Sequence, residues 1–173
     1  MHAILTRRSI RHYTSEPIAE AVIQDILRAG MSAPSAGNEQ PWQFVVIRER
    51  HLLDQIPAFH PYASMLKEAT VAILVCGDET LEKHRGFWVQ DCSAATENML
   101  IAIRANELGS VWLGIYPRTE RMAGLRRLLG IPEHIIPFAL LPIGYPAETK
   151  PPANRFDPSR VHQNQWSAKT RVS

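Results

Sequence analysis

The chain has 173 residues, 45% of them hydrophobic and 21% charged, enough for one domain with a single sizeable core. Nineteen Lys and Arg against seventeen Asp and Glu leave a formal charge of +2 without a basic face, so a nucleic-acid partner gains little support. The longest weakly polar run, Ile135 to Ala147, carries three prolines and falls short of the roughly 20 apolar residues a spanning helix needs, which excludes a membrane helix.

At the N-terminus Met1 to Leu5 runs directly into Arg7-Arg8, without the apolar stretch or small-residue cleavage site of a signal peptide, and a cytoplasmic location is expected. Arg7-Arg8-Ser9-Ile10-Arg11 packs three guanidiniums and a hydroxyl into five residues. Guanidinium forks match phosphate oxygens in pairs, so the cluster reads either as an anion site or as a solvated basic patch. Apolar residues at 18, 22, 23, 26 and 27 predict a helix over 18–30, with Gly30 ending it or packing closely. The turn-rich stretch 32–38 leads into a strand at 42–47. Within Pro34-Ser35-Ala36-Gly37-Asn38-Glu39-Gln40-Pro41-Trp42, small residues permit close approach to a flat ligand, and the amides of Asn38 and Gln40 both donate and accept. The competing reading is an ordinary loop that caps a strand.

Val71 to Cys76 is a continuous β-rich run, the mark of a strand buried on both faces, and 111–116 and 138–143 look similar. Cys76 and Cys92 lie in different elements with no metal-ligand spacing and read as two buried thiols. The longest helix is predicted over 88–107. It carries two apolar seams, and Gln90, Glu97 and Arg104 recur every seven residues, leaving one narrow stripe for water and one face for a partner subunit. Trp112-Leu113-Gly114-Ile115 places a glycine at a strand end, where backbone N–H groups can face a ligand or a bulge can form. A shorter helix over 120–129 stops at Gly130 before Pro132. Beyond Gly144-Tyr145-Pro146 the composition turns to Pro, Lys, Arg and Asn, giving a tail that is disordered or laid across another surface, with Lys150 and Arg155 available to add charge to a phosphate site. Helices and strands alternate without a strict βαβ order, and no GxGxxG follows a strand, so the fold class expected is α+β without a Rossmann dinucleotide site.

Taken together in this order and spacing, these motifs resemble the nitroreductase family of flavoenzymes over nearly the whole chain. Arg7-Arg8-Ser9-Ile10-Arg11 is similar to the family's opening Arg-Arg-Ser-x-Arg, and residues 34–42 to its Pro-Ser-x-x-Asn-x-Gln-Pro-Trp. Leu128-Leu129-Gly130-Ile131-Pro132-Glu133, Gly144-Tyr145-Pro146 and Arg155-Phe156 are similar to its C-terminal signature. The resemblance implies a mostly antiparallel sheet flanked by helices, in an intertwined homodimer. It further implies a single FMN-binding domain over 1–173, with 147–173 wrapping the partner. It assigns the FMN phosphate to Arg7, Arg8, Ser9 and Arg11 with Lys150 and Arg155, the flavin ring to Pro34, Ser35, Ala36, Asn38 and Gln40 of the other subunit, and flavin N5 and O4 to the backbone of Leu113 and Gly114. The implied activity is hydride transfer from NAD(P)H through flavin N5 to an electron-poor acceptor such as a quinone or nitroaromatic, in a ping-pong cycle with no catalytic side chain. An FMN-storage protein and an oxygen-dependent flavin-fragmenting enzyme remain alternatives. Two departures qualify the match. Leu113 lacks the Thr or Ser hydroxyl that some relatives place near N5, which favours hydride transfer over one-electron chemistry. The stretch 51–85 is also too short for the helical insertion that walls the substrate pocket in longer members.

Overall fold

The computed structural model describes residues 1–166 and contains a five-stranded antiparallel sheet: β1 (Trp42–Ile47), β2 (Val71–Asp78), β3 (Gly109–Ser110), β4 (Leu113–Gly114) and β5 (Ile135–Gly144). The order across the sheet is β1, β2, β5, β3, with β4 also paired to β5. The principal helices are α1 (His2–Thr6), α2 (Glu20–Met31), α3 (Arg50–Gln55), α4 (Trp88–Ala105) and α5 (Thr119–Leu129). The expected α+β architecture is therefore present. Residues 167–173, the end of the predicted tail, lie outside the described residues.

Both faces of the sheet are covered, which is why β2 reads as an unbroken apolar run. Val71, Ile73 and Val75 pack with α2 and α4, whereas Ala72, Leu74 and Cys76 point into a second core with Leu53, Leu66 and Leu125. Gly30 lies where a Cβ would stand 2.8 Å from Met99 Cγ, so its role is close packing of α2 on α4. Asn98 Nδ2 donates to the Ala29 carbonyl at 3.1 Å and ties the same two helices together. Cys76 and Cys92 are free, buried thiols, and burial pushes Cys76 up to about 12.

Three expectations are corrected. Of the strand predicted over 111–116 only Leu113–Gly114 (β4) forms, and a second short piece, β3, lies just before the predicted span, with Val111 and Trp112 between them. The gap falls opposite Pro142 of β5, which has no N–H to donate, and β4 ends where β5 bulges, its register against β2 shifting between Val75 and Cys76. Phe138 is left out of that ladder, and its carbonyl accepts from both Ile115 N–H and Tyr116 N–H. β5 is longer than the predicted 138–143 because its two prolines stand where pairing is already interrupted. Pro137 lies at the bulge, and Pro142 falls between the segments paired with β3 and β4. Finally, only Gln90 of the polar stripe on α4 is exposed. Glu97 pairs with Arg7 at 3.6 Å and Arg104 Nε donates to Thr6 Oγ1 at 3.1 Å, so α1 and the arginine cluster lie across that stripe.

The start of the tail is laid along the chain's own N-terminal segment. Thr14 N–H donates to the Tyr145 carbonyl and Ala147 N–H to the His12 carbonyl, while Tyr13 pairs with Pro146 as an isolated antiparallel bridge. Further on, Phe156 and Trp166 are 79% and 87% exposed, and Ile4 and Leu5 of α1 are 54% and 64% exposed.

Candidate active site

Segment 7–11 runs beside β3, held by a parallel Ser9 to Ser110 bridge and by Ile10 N–H on the Ser110 carbonyl at 2.9 Å. This course divides the arginine cluster between two cavities. The first, of about 190 Å³, is lined by Arg7, Arg8, Arg104, Ser110 and Lys150 among others. The second, of about 420 Å³, holds Arg11 together with Trp112, Leu113 and Gly114.

In the first cavity the cations are held by backbone acceptors. Arg8 Nε donates to the Pro151 carbonyl at 2.8 Å and its Nη1 to the Leu5 and Arg7 carbonyls at 2.9 and 2.6 Å. Lys150 Nζ donates to the Ser9 carbonyl at 2.7 Å and lies 3.4 Å from Glu148. Glu148 in turn accepts from Arg11 N–H at 2.5 Å, and that bond holds its carboxyl below the usual range. Ser110 Oγ is buried without a partner among the described residues. Arg155 is exposed in the tail and lines neither cavity.

In the second cavity the strand edge is the informative feature. Ile115 N–H donates to the Phe138 carbonyl of β5 at 3.1 Å. The Gly114 carbonyl, in the same trans peptide, therefore points away from β5, and it accepts from Arg121 Nη1 at 2.6 Å. The N–H and C=O of one strand residue face the same way, so Gly114 N–H also lies on this outer edge. Nothing stands within 4 Å of where a Gly114 Cβ would be, which leaves the edge open above the glycine. Leu113 buries its side chain in the core and, one residue before Gly114, turns its own N–H and C=O toward β5, so of the expected pair only Gly114 presents backbone to the cavity. Short as it is, the stretch 51–85 supplies a wall of this cavity through His60 and Tyr62.

Residues 34–40 join neither cavity. They leave α2 and enter β1 through a short turn (Ala36–Asn38) in which Gly37, Asn38 and Gln40 have φ of 54°, 56° and 47°. Left-handed backbone at two non-glycine residues is a stored cost of the kind found at ligand sites. Gln40 Nε2 donates to Asn38 Oδ1 at 2.7 Å and Gln40 N–H to Ser35 Oγ at 3.1 Å, while Pro34, Asn38 and Gln40 are exposed and Ser35 and Ala36 half-buried.

Sequence reasoning missed the residues that anchor this loop. Glu39 is buried, and its Oε2 accepts Lys83 N–H at 2.6 Å and His84 N–H at 3.0 Å. Asp91, at the start of α4 and also buried, accepts Ala36 N–H at 3.1 Å. Burial alone would raise the Glu39 pKa, but the Lys83 and His84 N–H groups and Asp91 reverse it, so Glu39 is held ionised. Burial and the neighbouring Glu39 charge raise Asp91, whose proton can then bridge Asp91 Oδ2 and Glu39 Oε1, each otherwise without a partner. The sequence signal was only an acidic residue between Asn38 and Gln40. His60 and Arg121 carried no local signal at all.

The sheet thus presents an open glycine edge in a cavity that also holds the cationic side chains of Arg11 and Arg121. The chain belongs to the nitroreductase family, whose family model matches residues 4–145. A protein of Methanothermobacter thermautotrophicus provisionally named NADH dehydrogenase/NAD(P)H nitroreductase is 52% identical over 166 residues, covering 96% of this chain and 87% of its own. A crystal structure from Bacteroides thetaiotaomicron under the same provisional name is 41% identical, with a TM-score of 0.91 over 95% of this chain and 96% of that one. A provisionally named nitroreductase of Desulfovibrio desulfuricans, solved in complex with FMN, is 33% identical with a TM-score of 0.82, covering 96% of each chain.

Proposed function

We propose that the chain is a cytoplasmic FMN oxidoreductase that works as a homodimer, taking hydride from NADH or NADPH and passing it to a flat electron-poor acceptor such as a quinone or nitroaromatic. The observation that carries this reading is the strand edge at Gly114, open above the glycine in a cavity of about 420 Å³. The residues present suit FMN. A flat ring needs an unobstructed edge with backbone donors, and a single terminal phosphate needs a cationic cluster such as Arg7, Arg8 and Lys150 of the first cavity, with no pyrophosphate loop, whereas Arg11 lies in the cavity of the glycine edge and Ser9 and Arg155 line neither. Relatives named for NAD(P)H nitroreductase activity, and one solved with FMN, support the same assignment. The two buried free thiols suit a reducing compartment.

Bound FMN supplies the hydride-carrying chemistry, and the protein supplies binding, orientation and electrostatics. Gly114 N–H orients the ring at the strand edge. Leu113 offers no side-chain hydrogen bond there, so the donor set is backbone only. Arg11 brings positive charge to the same cavity. Pro34, Ser35, Ala36, Asn38 and Gln40 reach the ring of a second copy, which is why they face solvent in one chain and join neither of its cavities. The same second copy covers Ile4, Leu5 and Phe156, and the tail wraps it beyond Pro151, past the part that lies on the chain's own residues 8–14. Truncation at about Lys150 then weakens both the dimer and FMN retention.

Donor and acceptor are both flat and use one open face in turn. Double-reciprocal plots of NAD(P)H oxidation at several quinone concentrations are therefore expected to be parallel. Intersecting lines would show both substrates bound together and contradict the shared face. Oxidation of NAD(P)H no faster than by free FMN would mark a storage protein instead.

A further inference from the structure

Arg121 comes from the first turns of α5, outside every motif read from the sequence, and its side chain returns to the edge of β4. Its Nη1 holds the Gly114 carbonyl at 2.6 Å, and its guanidinium carbon lies 5.6 Å from the centre of the Tyr62 ring. Among the described residues no carboxylate forms an ion pair with it. A half-buried guanidinium without a counter-charge is expensive, and water or a neutral donor would satisfy one backbone carbonyl equally well. His60 beside it does not cancel the charge. It is only 1% exposed, and its Nδ1 accepts Tyr62 N–H at 3.3 Å, which puts the proton of the neutral ring on Nε2. Burial, then the Arg121 charge, disfavours a second proton.

Resting on the FMN reading above, we propose that Arg121 is a positioning residue for the cofactor. By fixing the Gly114 carbonyl it aims the N–H of the same residue into the cavity, and its uncompensated charge favours the reduced, more negative form of the flavin. No side chain of β4 can do this, because Leu113 is turned into the core and Gly114 has none. The charge must come from other elements: Arg11 lines the same cavity, and Arg121 of α5 is the arginine that bonds the Gly114 carbonyl.

Three variants of the full chain separate charge from hydrogen bonding. Arg121→Met removes both, Arg121→Gln keeps a donor for the carbonyl without charge, and Arg121→Lys keeps charge without the planar fork. The readouts are the two-electron midpoint potential and the visible spectrum of bound FMN, with thermal stability of the FMN-free protein measured alongside. Arg121→Met and Arg121→Gln are expected to shift the ratio of affinities for reduced and oxidised FMN about tenfold toward the oxidised form, a potential about 30 mV more negative. Arg121→Lys is expected to stay within threefold of the parent protein. A parent potential and spectrum in Arg121→Gln would overturn the proposal, whatever happens to stability, and would leave Arg121 as a tie between α5 and β4. Arg121→Gln and Arg121→Lys carry the comparison even if Arg121→Met does not fold. If the parent protein takes up no FMN, the FMN reading itself falls and this inference with it, whereas normal uptake with unmoved potentials sinks this inference alone.

Discussion

Replacing Glu39 with Ala should release the loop over residues 34–40. The carboxylate accepts two backbone N–H groups, Lys83 at 2.6 Å and His84 at 3.0 Å, and it is the acceptor for the Asp91 proton. Each hydrogen bond to a charged group contributes about 1.5–3 kcal/mol. Lys83 and His84 lie at the surface, where water replaces part of the loss, so the lower end applies and Glu39→Ala costs about 3 kcal/mol. At about 2–4 °C per kcal/mol for a chain of this size, the midpoint of thermal unfolding falls by roughly 6–12 °C. Glu39→Gln keeps an oxygen acceptor but not the charge assistance and loses about half as much. The sign of the pH dependence follows from the lowered pKa. The Glu39 contribution is complete above its ordinary value of 4.5 and disappears as pH falls through the lower folded value, so the Ala variant has a flatter acid limb than the parent. Thermal unfolding of FMN-free protein followed by circular dichroism, repeated from pH 7 down to pH 3, measures both effects. A loss below about 1 kcal/mol at pH 7, with an unchanged acid limb, would refute the reasoning.

Three further outcomes follow from the structure. His60 should titrate below its ordinary value of 6.5 because burial, and then Arg121, penalises the charged ring. Stability is therefore lost as pH falls below 6.5 toward the folded value, and an imidazole resonance that titrates at or above 6.5 would contradict the burial argument. Gly77→Ala places a Cβ 2.4 Å from Trp88 Cε3, so α4 must shift at its first turn; a cost of about 1–3 kcal/mol is expected by urea unfolding, and a neutral substitution would contradict it. Arg11→Ala and Arg8→Ala should each weaken FMN binding roughly ten- to hundredfold, as loss of a contact worth about 1.5–3 kcal/mol requires, and unchanged affinity in both removes these arginines from the proposed FMN site.

How much was legible in the sequence depended on how local each signal is. The 71–76 run announced a strand covered on both faces because a double-sided core demands apolar residues at successive positions, and α2, α4 and α5 lie within two residues of the predicted spans. The extension of β5 back to Ile135 was hidden by Pro137, whose missing N–H is tolerated only because a bulge already interrupts the ladder there. Gly114 stood out in the sequence as a glycine at a strand end, but which of its neighbours faces outward depends on the pairing with β5. The division of Arg7 and Arg8 from Arg11 was not, since it depends on segment 7–11 lying along β3, a contact about 100 residues away in sequence. His60, Arg121 and Asp91 escaped for the same reason. Each matters through a partner brought to it by the fold, and a lone His, Arg or Asp on a helix or loop carries no periodicity or motif.

The central claim is that two copies of this chain hold FMN between them, and sedimentation velocity of the FMN-loaded protein, followed at the flavin absorbance band, tests it most directly. The account predicts one flavin-absorbing boundary with the mass of two chains and two flavins, and no flavin at the position of a single chain. Flavin that sediments with one chain alone would contradict it, because residues 34–40 of that chain do not line the cavity of their own Gly114 edge.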